Sequence, residues 1–101
     1  MILARVQGTV VSTRKDPGLL GLKLLLVREV DGQFRPAGAY VVAADAVGAG
    51  EGEIVMVAAG SSARLTEVSR DKPVDAVIVG IVDAVEVDGK DVYLKSSGVA
   101  G

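Results

Sequence analysis

Residues 45–64 read DAVGAGEGEIVMVAAGSSAR and gather most of the chemically suggestive side chains of the chain. Gly48-Ala49-Gly50-Glu51-Gly52 invites comparison with phosphate-binding loops. A dinucleotide loop needs G-x-G-x-x-G between a strand and a helix, so that the helix N-terminus meets the pyrophosphate. Here the spacing is G-x-G-x-G, and the residues that follow, EIVMVAA, read as a strand. No Gly-Lys-Ser/Thr supplies a P-loop. These glycines therefore serve a tight inter-strand loop, or the close approach of another chain's backbone.

Ser61 and Ser62 beside Arg64 suggest a nucleophile next to an anion clamp. The chain has no histidine to activate a hydroxyl, and the G-x-S-x-G elbow is absent. The serines read better as a helix N-cap. Arg64 reads as a surface or interface residue able to fork onto carboxylates or carbonyls. Glu51 and Glu53 form one pair of carboxylates, and Asp83, Glu86, Asp88 and Asp91 form a second acidic group. They are hard-cation ligands in principle, but no EF-hand spacing appears. Cysteine is also absent, which excludes disulfides and thiolate metal sites. No catalytic residue, cofactor or metal is expected, and the chain reads as a non-enzyme.

The elements that hold these residues must come from an unusual composition. The chain has 101 residues, and half are apolar. Its three aromatics are Phe34, Tyr40 and Tyr93, so the core must be aliphatic. The apolar residues exceed what one small core needs, which points to a subunit interface for the surplus. Eleven basic and thirteen acidic residues leave a net charge of −2. The basic residues are scattered, which argues against a nucleic-acid or membrane-surface partner. Arg5 and Gln7 interrupt the first apolar stretch, so a signal peptide is not expected. No run reaches the ~20 apolar residues of a membrane helix, and a soluble cytoplasmic protein is the default.

Alternation over 2–13 predicts a strand, with Gly8 marking a bulge. Arg14-Lys15-Asp16-Pro17-Gly18 predicts a type II turn. Strands are expected at 22–30, 39–45 and 53–59. A helix of two or three turns is expected over 61–70, with Ala63, Leu65 and Val68 inward. A long strand over 76–87 then meets 91–95 through an Asp88-Gly89 type I′ turn. The order predicts an all-β fold: a small OB-like five-stranded β-barrel, one short helix between strands 4 and 5, and a C-terminal hairpin extension. A β-sandwich is the alternative. One domain over 1–95 and a flexible tail over 96–101 complete the expectation.

ILARVQGTVVSTRKDPGLLGLKLLLV, DAVGAGEGEIVMVAAGSSAR and PVDAVIVGIVDAVEV together resemble the EutN/CcmL family, the vertex proteins of bacterial microcompartments. The resemblance spans residues 1–87. It implies a barrel that assembles into a homopentamer, plugging the five-fold corners of a polyhedral shell tiled by hexameric shell proteins in the cytoplasm. It also implies that Gly48, Gly50, Glu51 and Gly52, and Gly60, Ser61, Ser62 and Arg64, lie at subunit contacts or near the ring axis. The turn Arg14, Lys15, Asp16 is the candidate edge against the hexamers. The competing reading is an OB-like binding module for nucleic acid or peptide. The few aromatic and basic residues weigh against nucleic acid.

Overall fold

The structure is a computed structural model that describes residues 1–95; the tail expected over 96–101 lies outside the described residues. The described residues form seven strands: β1 (Ile2–Val10), β2 (Leu24–Val30), β3 (Pro36–Asp45), β4 (Ile54–Ala59), β5 (Ala76–Ile81), β6 (Ala84–Val87) and β7 (Lys90–Leu94). The first five close into a barrel in the order β1-β2-β3-β5-β4, as an OB-like fold requires. Every barrel pairing is antiparallel except β3 with β5, where only Ala44↔Val77 and Asp45↔Ile78 pair. β6 and β7 form the separate hairpin.

Alternation explains the barrel. Ala4 and Val6 of β1, Leu25 and Val27 of β2, Val55 and Val57 of β4, and Ala76 and Ile78 of β5 fill its interior. Burying a side chain such as Leu25 or Ile78 contributes about 2 kcal/mol. The register of β1 against β2 slips between Val6 and Gly8, so the mid-strand glycine does mark a bulge. Asp88 and Gly89 both have positive φ, as a type I′ turn demands.

Four details depart from the sequence reading. The helix expected over 61–70 is only a 3₁₀ turn, Gly60–Arg64, and no side chain caps it. Ala63 is buried, but Leu65 is 79% exposed and Val68 is exposed as well. The reason lies in the hydroxyls downstream. Ser69 donates its hydroxyl to the Ala63 carbonyl at 2.5 Å, and its N–H goes to the Thr66 hydroxyl at 3.0 Å. Side chains thus take backbone partners that a helix would need.

The long strand expected over 76–87 divides at Val82-Asp83: Val82 still donates to the Ile54 carbonyl of β4 at 2.8 Å, whereas the Asp83 carbonyl accepts the Lys95 N–H at 3.0 Å and β6 pairs with β7. The turn at Pro17-Gly18 is a 3₁₀ turn, Pro17–Leu19, capped by Asp16. The positive φ falls on Gly21 instead of Gly18. Gly18 is small for a different reason: a Cβ there would sit 2.9 Å from the Pro73 ring.

Two further clusters lie outside the barrel. Phe34, Ile54, Val82 and Tyr93 join the hairpin to it, with Leu3, Val30 and Val85 alongside. Ala44, Ala58, Ala63 and Val77 pack the 3₁₀ turn and Val74 over the seam between β3 and β5.

Candidate functional site

The glycine loop joins β3 to β4 and is held by its own carboxylates. Asp45 is buried at the end of β3. Its side chain accepts the N–H groups of Val47 at 3.0 Å, Gly48 at 3.1 Å and Ala49 at 2.9 Å. The Lys23 ammonium stands 3.7 Å from the same carboxylate and donates to the Ala49 carbonyl at 3.1 Å. Ala49 is buried with the barrel interior. Gly48 and Gly52 take φ of 76° and 86°, which a side chain would resist.

Glu53 repeats the device on the other limb of the loop. Its carboxylate accepts the Gly50 N–H and the Lys95 ammonium. Those two hydrogen bonds, that from Lys95 first, lower the Glu53 carboxyl below its ordinary value. Lys95 is raised in turn, chiefly by its hydrogen bond to Glu53. Gly52 donates to the Val6 carbonyl at 2.8 Å, and Val6 donates back to Glu53 at 3.0 Å. A phosphate-binding loop offers its N–H groups to the ligand. Here the chain itself takes those of 47–50 and 52, which is the physical ground against a phosphate cradle. Glu51 is exposed at the tip.

The second candidate segment lies elsewhere. Gly60 has φ 66° and donates to the Asp75 carbonyl at 2.8 Å. Ser61, Ser62 and Arg64 are exposed. Ser61 and Arg64 line an open cleft of about 690 Å³ with Asp16, Asp71, Lys72 and Pro73. The fold therefore brings Asp16, expected at an outer edge, to the same cleft as Arg64. Gly48, Gly50, Glu51 and Gly52 are not among that cleft's walls. Arg14 and Lys15 are exposed in the turn before it. Glu51 and Glu53 do not act together, and among the described residues no group of three or more Asp or Glu gathers to hold a metal ion.

The sequence reading missed Asp45, Lys23 and Lys95. Asp45 carried a legible signal, since an aspartate just ahead of a glycine-rich turn can accept the N–H groups that follow it. Lys23 and Lys95 carried none, because their partners are distant in sequence.

Residues 1–83 match the family model described as Ethanolamine utilisation protein EutN/carboxysome. The carboxysome shell vertex protein CcmL of Synechocystis sp. is 52% identical over 95 residues, covering 94% of this chain and 95% of that protein. The structure of Gloeobacter violaceus CcmL superimposes with a TM-score of 0.89 at 47% identity, over 95% of this chain and 99% of the other. The GrpN pentameric microcompartment shell protein of Rhodospirillum rubrum gives 0.76 at 49% identity, over 86% and 98%. A matching barrel at this identity along nearly the whole length leaves one assignment: the chain belongs to the EutN/carboxysome family of microcompartment proteins.

Proposed function

We propose that this chain is a structural shell-vertex protein that closes into a ring of five and caps the corners of a bacterial microcompartment. The observation that carries this reading is 52% identity to a carboxysome shell vertex protein along 94% of the chain. The pentameric GrpN, at 49% identity, supports the ring. Geometry supplies the need, since a sheet of hexagonal tiles cannot close without five-fold positions. The unit that assembles is residues 1–95, and its place is the shell, within the cytoplasm.

We read its role as geometric and non-catalytic. A closed ring uses heterologous contacts, in which one patch meets a different patch on the neighbour. The surfaces proposed for these contacts are the tip Gly48, Gly50, Glu51, Gly52 and the segment Gly60, Ser61, Ser62, Arg64. The turn Arg14, Lys15, Asp16 is proposed to face the hexameric tiles. The carboxylate-pinned loop suits this work, because a rigid loop gives up little entropy on docking.

Native mass spectrometry of the purified chain tests the reading. Five copies in a closed ring are expected at micromolar concentration. A monomer under those conditions would overturn it.

A further inference from the structure

The barrel closes through only two residue pairs between β3 and β5, at Ala44 and Asp45. β3 pairs with β2 along its length, from Pro36 to Ala44. Residues 36–43 thus have one edge with no partner strand among the described residues. This edge reads PAGAYVVA and carries no charge. Ala39 is exposed, Tyr40 is 56% exposed and Val42 is 47% exposed. Soluble proteins guard an exposed edge strand with charge, or cover it. Pro36 and the positive-φ Gly38 guard only its beginning.

The chain also contains an element short of a strand. β6 pairs only with β7 among the described residues, in a two-stranded sheet. A lone hairpin is marginal in water and gains from a third strand. Ala84, Glu86 and Val87 of β6 are exposed. Asp83, Glu86 and Asp88 make residues 83–89 wholly acidic in charge. On the barrel, the Arg28 guanidinium lies 5.1 Å from the Tyr40 ring centre and donates to the Gly38 carbonyl at 2.8 Å. A cation of β2 is thus fixed beside the uncharged strand, and carboxylates flank the strand that needs a partner.

We propose that the edge of β3 over residues 36–43 accepts β6 of a neighbouring copy of this chain as an added strand, with Glu86 facing Arg28. This rests on the ring reading above and deepens it. The contact is head-to-tail, because an edge of one copy meets a different edge of the next, as ring closure requires. Strand addition supplies main-chain hydrogen bonds, and the Glu86–Arg28 pair fixes partner and register.

The chain lacks cysteine, so an engineered pair reports cleanly. Arg28 pairs with Tyr40 in the ladder, so an antiparallel β6 with Glu86 opposite Tyr40 sets Ala84 opposite the exposed Val42. The double variant Val42→Cys with Ala84→Cys, oxidised under native conditions, should give a ladder of linked chains up to five on a non-reducing denaturing gel. Each single variant should stop at dimer. Independently, Arg28→Glu and Glu86→Arg should each lower the ring fraction at least tenfold in native mass spectra, and the two combined in one chain should restore most of it. Circular dichroism checks that each variant keeps its fold. If the parent ring has five copies while the ladder and the charge swap both fail, this contact is wrong and the ring reading stands, leaving the edge to a shell tile. If the parent chain is a monomer, both fall.

Discussion

The rings of Phe34 and Tyr93, from distant parts of the chain, lie 5.3 Å apart between their centres and are tilted by 35°. Both are buried, and together with Ile54 and Val82 they fasten the hairpin to the barrel. Phe34 adopts φ 61°, a left-handed conformation that costs a bulky residue energy unless packing enforces it. The turn hydrogen bond from the Phe34 N–H to the Asp31 carbonyl, at 2.9 Å, and packing against Tyr93 together hold it here.

Tyr93→Ala should therefore cost about 3–4 kcal/mol. The loss appears as an earlier urea midpoint, with the hairpin amides exchanging faster than those of β1 and β4. Hairpin protection equal to the parent's would show that another contact holds β6 and β7.

Asp45 collects three loop N–H groups in a buried place, so its removal strands all three. Asp45→Ala should destabilise the chain by about 3 kcal/mol, and Asp45→Asn, which keeps one acceptor oxygen, by roughly half that. Amide exchange at Val47, Gly48 and Ala49 reads the effect directly. Equal costs for the two variants would assign Asp45's contribution to the charge and second oxygen that both lose, and a cost confined to Asp45→Ala would assign it to packing.

Gly18 and Gly80 both crowd a neighbour, yet they should behave differently. A Cβ on Gly18 meets the rigid Pro73 ring at 2.9 Å and the Asp16 carboxylate at 3.0 Å. A Cβ on Gly80 meets only the terminal methyl of Met56, the far end of a partly exposed, flexible side chain. Gly18→Ala should cost about 1–3 kcal/mol, and Gly80→Ala under about 1 kcal/mol, because Met56 swings aside. Thermal melting of the pair decides, and the reverse order would refute this account.

The Glu53–Lys95 pair gives stability a defined dependence on pH. Glu53 is depressed in the folded chain, so its contribution is complete above its ordinary value of 4.5 and fades as pH falls through the lowered value. Lys95 is raised, so its contribution is complete below 10.5 and fades as pH rises through the raised value. Asp31 is lowered as well, by the N–H groups of Arg35 and Gln33, and adds to the acid limb. Glu53→Gln should thus flatten the acid limb of the urea midpoint in part and leave the remainder to Asp31. An acid limb identical to the parent's would discount the pair.

Much of the barrel was legible because strand alternation is a local property. Alternation over 2–13, of which 2–10 form β1, the bulge glycine and the Asp88-Gly89 turn each follow from neighbouring residues. The helix over 61–70 was misread because serine and threonine serve a helix cap and an irregular turn equally well. Which use wins depends on whether Ser69 reaches the Ala63 carbonyl, and packing over the β3–β5 seam sets that. The long strand over 76–87 was misread for a similar reason. Its β-pattern runs on past Asp83, but beyond Val82 the chain leaves β4 and takes β7 as its partner.

By itself the sequence determined the all-β class, the small-residue barrel, the absence of histidine and cysteine chemistry, and the family resemblance. These rest on composition and on spacings of a few residues. Only the tertiary structure decided that the glycine loop is filled by Asp45 and Glu53, that Asp16 and Arg64 share a cleft, and that among the described residues β3 keeps an unpaired edge. Each of these joins atoms from distant parts of the chain. Such meetings are fixed by how the strands close around the core, which no local pattern encodes.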